Sequence, residues 1–244
     1  MANARREVAR LTLKDYTTGI PFLYIPYGQV VTTEHSGDTV YARGDWNNGI
    51  KAAFNGNRAA QLSLETTVFD YKLIAFLAGT SVSTGTTNIF KREVLKATGT
   101  ESVTIALSET PVTDSITVFP IAKDCDSTSK MVITVADKSV TLTAGVADDS
   151  YVAYYYTATA ANDFESVTFN STKFPAACKM SGLTKVKDTD GNKDKYEYME
   201  VYNAQAQAGF NITMNNDGDP SSMTVTFDLM EDADGNTITY SKAV

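Results

Sequence analysis

The stretch Gln61-Leu62-Ser63-Leu64-Glu65 decides the fold class, because leucine alternates there with polar residues. A period of two places every second side chain on one face of a β-strand, so that one face is buried and the other is solvated. The same alternation recurs in residues 102–107, 131–135, 139–143, 210–214 and 223–229. We therefore expect a mainly β protein, with a β-barrel or a β-sandwich as its core.

The residues that follow this stretch have the period of a helix. Their apolar side chains are three or four positions apart, at Val68, Tyr71, Ile74, Ala75 and Ala78. That spacing is typical of the buried stripe of an amphipathic helix. Thr67 is the expected N-cap, Asp70 falls in the first turn, and Gly79 is a typical stop. The sequence predicts one helix of about 10 residues packed against the strands.

The density of turns changes between about residues 100 and 159, where short strands follow one another quickly. This texture predicts a small β-sandwich-like subdomain, residues 101–159, inserted into a main domain formed by residues 1–100 and 160–244. The alternative is that the same residues are further strands of one domain. Asp190-Gly191, Asp217-Gly218 and Asp234-Gly235 favour tight hairpin turns in the last part of the chain.

The formal net charge of −8 argues against a protein that coats DNA, since such proteins neutralise phosphates with lysine and arginine. The longest apolar run, residues 73–78, is far shorter than the ~20 residues of a membrane-spanning helix. No apolar segment follows the N-terminal arginines, so we expect neither a membrane span nor a secretion signal.

Charge is unevenly distributed: residues 1–60 have a net charge of +2, and residues 184–244 have a net charge of −6. Complementary ends would favour head-to-tail self-association. The alternative is that both are solvated surfaces without a partner. Under the first interpretation the subunit contacts are predicted to include Arg5, Arg6, Arg10, Leu11 and Leu13, with arginines steering association and leucines contributing apolar burial.

The search for catalytic residues depends on His35, the only histidine of the chain. Ser36 and Asp38 follow it, but neighbours on a loop cannot align a nucleophile, a base and an acid. We interpret His35 as a loop residue and expect Cys125 and Cys178 to be free thiols. No phosphate-binding glycine loop occurs in the sequence. We therefore expect no enzyme activity, no catalytic residues and no cofactor.

A metal site is not expected either. Asp188, Asp190, Asn192 and Asp194 alternate as in a calcium loop, but Met199 stands where that loop requires a bidentate glutamate. A hairpin turn is therefore favoured here. One histidine and two distant cysteines cannot complete a zinc site of normal spacing.

Aromatic residues are concentrated at Tyr151, Tyr154, Tyr155 and Tyr156, with Phe164 nearby. They could form a platform on which bases or sugars stack. Sheet core or a subunit contact is favoured, because no basic groove accompanies them.

Three stretches together resemble the tail tube, or major tail, proteins of tailed bacteriophages. Residues 61–79 resemble the strand and packing helix of that fold, and residues 173–182 resemble the strand leading to its last sheet. Residues 204–214 and 217–230 form the third stretch, in which the turn Gly218-Asp219-Pro220 precedes an alternating strand. The resemblance covers roughly residues 1–100 and 160–244.

This resemblance implies a structural virion protein of the phage tail, made in the host cytoplasm. Such proteins form rings, usually hexameric, that stack into a tube through which the genome passes without specific binding. Tail sheath, baseplate and terminator proteins are the implied partners, and no membrane is involved. Two alternatives stay open: a capsid decoration or fibre protein, and a carbohydrate-binding module that uses the tyrosines.

Overall fold

The computed structural model of the protein describes residues 3–5, 7–44, 49–188, 194–213 and 221–242, without the side chains of residues 3–5 and 188. Its strands in chain order are β1 (Asn3–Arg5), β2 (Arg10–Asp15), β3 (Pro21–Ile25), β4 (Gly28–Gly44), β5 (Gly49–Thr66), β6 (Asn88–Lys96), β7 (Thr104–Ala106), β8 (Thr117–Pro120), β9 (Ile133–Ala136), β10 (Ser139–Leu142), β11 (Ser150–Ala158), β12 (Cys178–Asp188), β13 (Asp194–Ala206), β14 (Asn211–Thr213), β15 (Ser222–Leu229) and β16 (Ile238–Lys242). One α-helix, α1 (Tyr71–Leu77), and two short 3-10 turns, Ile121–Lys123 and Ser127–Ser129, complete the described elements. The prediction of a mainly β fold with one helix is confirmed.

The chain divides into two compact units. Unit 1 consists of Met1–Val82 with Val167–Val244, and unit 2 is the intervening segment Ser83–Ser166. Unit 2 is wider than the insertion expected over residues 101–159, because β6 pairs along its whole length with β11. That pairing joins residues about 60 positions apart, so local sequence gives no sign of it.

Unit 1 is built on one ten-stranded antiparallel sheet. Its main strand order is β3-β2-β12-β13-β15-β5-β4, while β1, β14 and β16 pair with β12, β15 and β13 respectively. Within the described residues this order does not close on itself, so the sheet is open and not a closed barrel. The predicted strands in residues 61–65, 210–214 and 223–229 coincide with parts of β5, β14 and β15.

The core of unit 1 is formed by every second side chain of its strands. Leu62 and Leu64 of β5 are fully buried, as the alternating pattern predicts. They belong to a cluster with Leu11, Leu13, Ile25, Leu73, Met180, Val201, Val225 and Phe227. Cys178 lies in the same cluster as a free thiol, and burial raises its pKa to about 12.

Helix α1 packs on this core through Leu73 and Leu77. It begins later than predicted, because Asp70 and not Thr67 is the N-cap: its carboxylate accepts the N–H of Lys72 at 2.8 Å. The predicted stop at Gly79 is confirmed by its φ of +63°. A Cβ at that position would lie 2.4 Å from the carbonyl oxygen of Phe174, so a larger residue has no room.

Unit 2 contains two three-stranded sheets, β6-β11-β8 and β7-β10-β9. Alternation along β11 sends Tyr151, Ala153 and Tyr155 into the core of this unit, where they join Ile105, Leu107, Val118, Val140 and Leu142. The two sheets therefore share one buried layer, as in a small sandwich. The hydroxyl of Tyr155 donates to Glu93 at 3.0 Å, which satisfies a polar group inside that layer.

Candidate assembly surface

The hairpin of β4 and β5 is longer than the sheet to which it belongs. β15 pairs with β5 only from Met223↔Thr66 to Leu229↔Ala60. In contrast, β4 and β5 continue to pair with each other as far as Gly44↔Gly49. Residues 36–44 and 49–59 therefore form a two-stranded ribbon beyond the sheet, called the arm below. At ~3.4 Å per residue the arm is roughly 30 Å long.

The base of the arm has an irregular register. The pairing shifts between Ser36 and Asp38, and Asn57 on the other strand has a positive φ of 51°. Side chains connect the two strands on the arm side of the shift: Asn57 donates to Asp38 at 3.1 Å, and Thr39 donates to Asn55 at 3.0 Å. A bulge of this kind bends and twists a ribbon. The register shift therefore lies where the arm begins, at the point where β5 passes the end of its pairing with β15.

Apolar side chains of the arm are exposed to solvent. Val40 lies directly opposite Phe54, and they are 67% and 62% exposed. Tyr41 and Ile50 are exposed as well. An isolated two-stranded hairpin is at best marginally stable in water. Covering these apolar groups with another molecule would therefore lower the free energy of the system.

The two ends of the main strand path are also open to pairing. Within the described residues, β3 pairs only with β2, and β4 pairs only with β5. An uncovered strand edge presents unpaired N–H and C=O groups, which another chain can extend as a further strand. Phe22 and Tyr24 of β3 are exposed, so this edge also carries apolar surface.

A cleft of about 630 Å³ opens in unit 1 where the arm leaves the sheet, and its lining includes His35, Asp38, Arg58 and Tyr240. His35 is an exposed residue of strand β4, where it pairs with Ala60, so the interpretation of His35 as a loop residue is wrong.

The five predicted subunit contacts occupy different environments. Arg10 is exposed at the start of β2. Leu11 and Leu13 are fully buried in the core of unit 1, so their assignment as surface contacts is wrong. They point inward because β2 lies between β3 and β12, with one face against the core. Arg6 and the side chain of Arg5 lie outside the described residues.

The acidic end of the chain is described in part. Asp232 accepts the N–H groups of Asn236 and Asp234 at 2.8 and 2.9 Å, and the bond from Asn236 in particular lowers the pKa of this carboxyl group. Glu231 and Asp234 beside it are exposed. Of the predicted turn in residues 188–192 and its calcium-like spacing, the structure describes only Asp188, at the end of β12, and Asp194, at the start of β13. The predicted turn in residues 216–220, with Gly218-Asp219-Pro220, lies outside the described residues.

Sequence reasoning missed the arm. Its exposed residues do not form the regular alternation that marks a half-buried strand, and no local pattern shows that β5 outruns β15. The available signal was Asn48-Gly49, a dipeptide that favours a tight hairpin turn between two strand-like runs.

Comparison with protein-family models gives one match. The YomU/Tube family model matches residues 5–242. No curated protein matches the chain at a significant level. In the part of the chain that is described, the one α-helix is too short to span a bilayer. Since the family match includes both units, the chain belongs to the YomU/Tube protein family, whose name indicates a phage tube-type structural protein.

Proposed function

We propose that this protein is the subunit of a phage tail tube, and that its copies form rings that stack into a hollow tube. The observation that carries the proposal is the arm, which extends past its own sheet with Val40 and Phe54 exposed on it. A neighbouring ring is the natural cover for such an arm, because identical neighbours recur at a fixed distance along a tube.

The open edges of the main sheet supply a second type of contact. If β3 of one copy pairs near β4 of the next, two different patches meet, and the contact is heterologous. Such contacts close into a ring when the rotation between copies divides a full turn. We propose a six-membered ring, in keeping with the resemblance described above. Sheet pairing between copies would also cover the edges that otherwise favour aggregation.

The acidic charge of the chain suits a conduit for DNA. With a net charge of −8, a lumen lined by some of its carboxylates repels phosphate, so the genome can slide without binding. The role is structural, without catalysis, and its place is the virion. Sheath, baseplate and terminator proteins would contact the outside and the ends of the tube.

Negative-stain electron microscopy of the purified protein tests this proposal. We expect rings or tubes for the natural sequence, and folded but unassembled protein for Val40→Asp combined with Phe54→Asp. Both side chains are exposed in the single chain, so two aspartates there should leave the fold intact while placing charge in the contact.

A matched control is Val132→Asp combined with Val146→Asp, because both of these valines are exposed in unit 2. The control should assemble as the natural sequence does. Dispersed monomers of the natural sequence at high concentration would contradict the tube proposal. Tubes formed by the arm variant would show that the arm is not the contact.

A further inference from the structure

The outer face of the sheet β6-β11-β8 in unit 2 carries an exposed group of aromatic rings. Alternation along β11 places Tyr154 and Tyr156 on this face, while Tyr151 and Tyr155 face the core. Phe90 of β6 pairs with Tyr156 in the register and lies on the same face. Phe90 is 58% exposed and Tyr156 is 45% exposed, so their rings are open to a ligand.

The rings of Phe90, Tyr154 and Tyr156 contact one another in a cluster, called the platform below, in which the planes of Phe90 and Tyr156 are inclined at 57°. The centroid of Phe90 is 5.3 Å from that of Tyr156 and 5.8 Å from that of Tyr154. Phe90 and Tyr154 are close to parallel, with an angle of 19° between their planes. The ring of Phe119 packs against that of Tyr154 in a T-shaped arrangement, with 6.1 Å between their centroids. Such contacts fix the rings before any ligand arrives, which lowers the entropic cost of binding.

Three polar side chains joined by hydrogen bonds lie beside the platform. Arg92 donates from Nη2 to Asp124 at 2.7 Å and from Nε to the hydroxyl of Tyr154 at 3.1 Å. The same hydroxyl donates to Asp124 at 2.8 Å. Guanidinium, carboxylate and phenol groups therefore meet at the rim of the rings, where they offer both donors and acceptors to hydroxyl groups.

Both cations on the outer face of β6 are already paired. Arg92 pairs with Asp124, and Lys96 pairs with Asp148 at 2.8 Å. A nucleic acid or another polyanion needs cations that can neutralise phosphates, and these pairs do not supply them. A large protein surface would have to desolvate the Arg92–Asp124 pair, which is costly when its hydrogen bonds are not replaced.

We propose that this face binds a neutral saccharide. One side of a pyranose ring is a row of weakly positive C–H groups, which fits the negative face of an aromatic ring. The hydroxyl groups at its edge can bond to Arg92, Asp124 and Tyr154 without breaking the ion pair. A site in unit 2 gives the protein a sugar-binding function that is separate from the arm of unit 1 and does not rest on tube formation.

Saturation-transfer difference NMR on the purified full chain tests the site. The probes are the neutral hexasaccharides cellohexaose, maltohexaose and chitohexaose, together with a ten-residue oligothymidylate as the anionic stacking ligand. We expect at least one hexasaccharide to receive saturation, with a dissociation constant on the order of 1 mM. The oligothymidylate should receive none.

Variants locate the binding on the platform. Phe90→Ala and Tyr156→Ala should each weaken the affinity about tenfold, whereas Phe90→Tyr should keep it, because a ring is retained. The control is Phe164→Ala, which removes another exposed phenylalanine of unit 2 and should change the affinity less than about twofold. Circular dichroism verifies that each variant is folded.

The arm variant Val40→Asp with Phe54→Asp should bind the saccharide as the natural sequence does, so failure of assembly and failure of sugar binding are distinguishable. The proposal is overturned if no hexasaccharide receives saturation, if Phe164→Ala weakens binding as much as Phe90→Ala, or if only the oligothymidylate binds.

Discussion

One carboxylate oxygen of Asp70 caps the start of helix α1, and the other oxygen binds the hydroxyl of Tyr27. Oδ1 accepts the N–H of Lys72 at 2.8 Å, and Oδ2 accepts the hydroxyl of Tyr27 at 2.7 Å. Burial, with a further contribution from this bond, raises the pKa of Tyr27, so its hydroxyl stays protonated and donates at neutral pH. A single side chain thus caps the helix and fixes the segment between β3 and β4.

Replacing Asp70 by alanine should lower the free energy of unfolding by about 1–3 kcal/mol, since the change removes a cap and leaves the Tyr27 hydroxyl without its acceptor. The control is Thr67→Ala, the cap expected from sequence, whose hydroxyl accepts from the side-chain amide of Gln29 at 3.1 Å. It should cost no more than about 0.5 kcal/mol. Urea unfolding followed by circular dichroism measures both; equal losses would refute the assignment of the cap.

Leu11 should act in folding and not in assembly. Because it is fully buried, Leu11→Ala should lower the free energy of unfolding by about 2–5 kcal/mol through lost burial and the cavity left behind. Ile20→Ala, at an exposed position next to β3, should cost less than about 1 kcal/mol. Chemical denaturation gives the two values. A stable Leu11→Ala protein that fails to form tubes would restore the leucine as a contact residue.

Acid should remove a stabilising contribution of Asp15. Its carboxylate accepts the N–H of Thr18 at 2.7 Å, the hydroxyl of Thr18 at 2.7 Å and the N–H of Thr17 at 3.1 Å. These bonds, the one from the Thr18 N–H foremost, lower the pKa of Asp15. A folded pKa below the unfolded value of ~3.9 means that the stabilisation is present above that value and disappears as the pH falls through the folded pKa.

The measurement is thermal unfolding between pH 6 and pH 2. Asp15→Asn should unfold at a lower temperature than the natural sequence above about pH 5, and the difference should shrink below about pH 4. Asp163→Asn, which changes an exposed aspartate in unit 2, serves as the control. Its unfolding temperature should differ less from that of the natural sequence, and this difference should vary less with pH. If the difference in unfolding temperature between Asp15→Asn and the natural sequence stayed constant down to pH 2, the role of the Asp15 charge would be contradicted.

Charge at the start of β2 should affect the rate of tube assembly. Under the proposed function, Arg10→Glu replaces an exposed cation that would approach the acidic end of a neighbouring copy, near Glu231 and Asp234. Assembly should be slower at low salt, and the difference should diminish as salt screens the charges. Light scattering records the rate. The matched control Lys123→Glu makes the same charge change on an exposed residue of unit 2; similar slowing by both variants would indicate a net-charge effect only.

Some features of the fold could be predicted from the sequence because their signals are local. The alternation around Leu62 and Leu64 identifies a half-buried strand, since the period of a strand requires only adjacent residues. The helical spacing that begins at Val68 and Tyr71, with Gly79 as its stop, identifies a helix and its end for the same reason. The predicted buried stripe is wrong in part, because Val68 and Tyr71 are exposed and the helix buries Leu73, Ala75 and Leu77. The first residue of the helix could not be predicted in this way, because Thr67 and Asp70 are both residues that can cap a helix, and the structure has Asp70 as the cap.

Other features were decided only by the tertiary structure, because they depend on which distant strands pair. Alternation shows that one face of β2 is buried, but not that β3 and β12 flank it, so Leu11 and Leu13 could be taken for contacts between copies. Pairing of β6 with β11 gives unit 2 its borders and brings Phe90 beside Tyr156. The arm exists because β15 ends opposite Ala60 while β4 continues to Gly44. The length at which one strand outruns another is a property of the whole sheet, since the hydrogen bonds of each strand are made by residues far away in the chain.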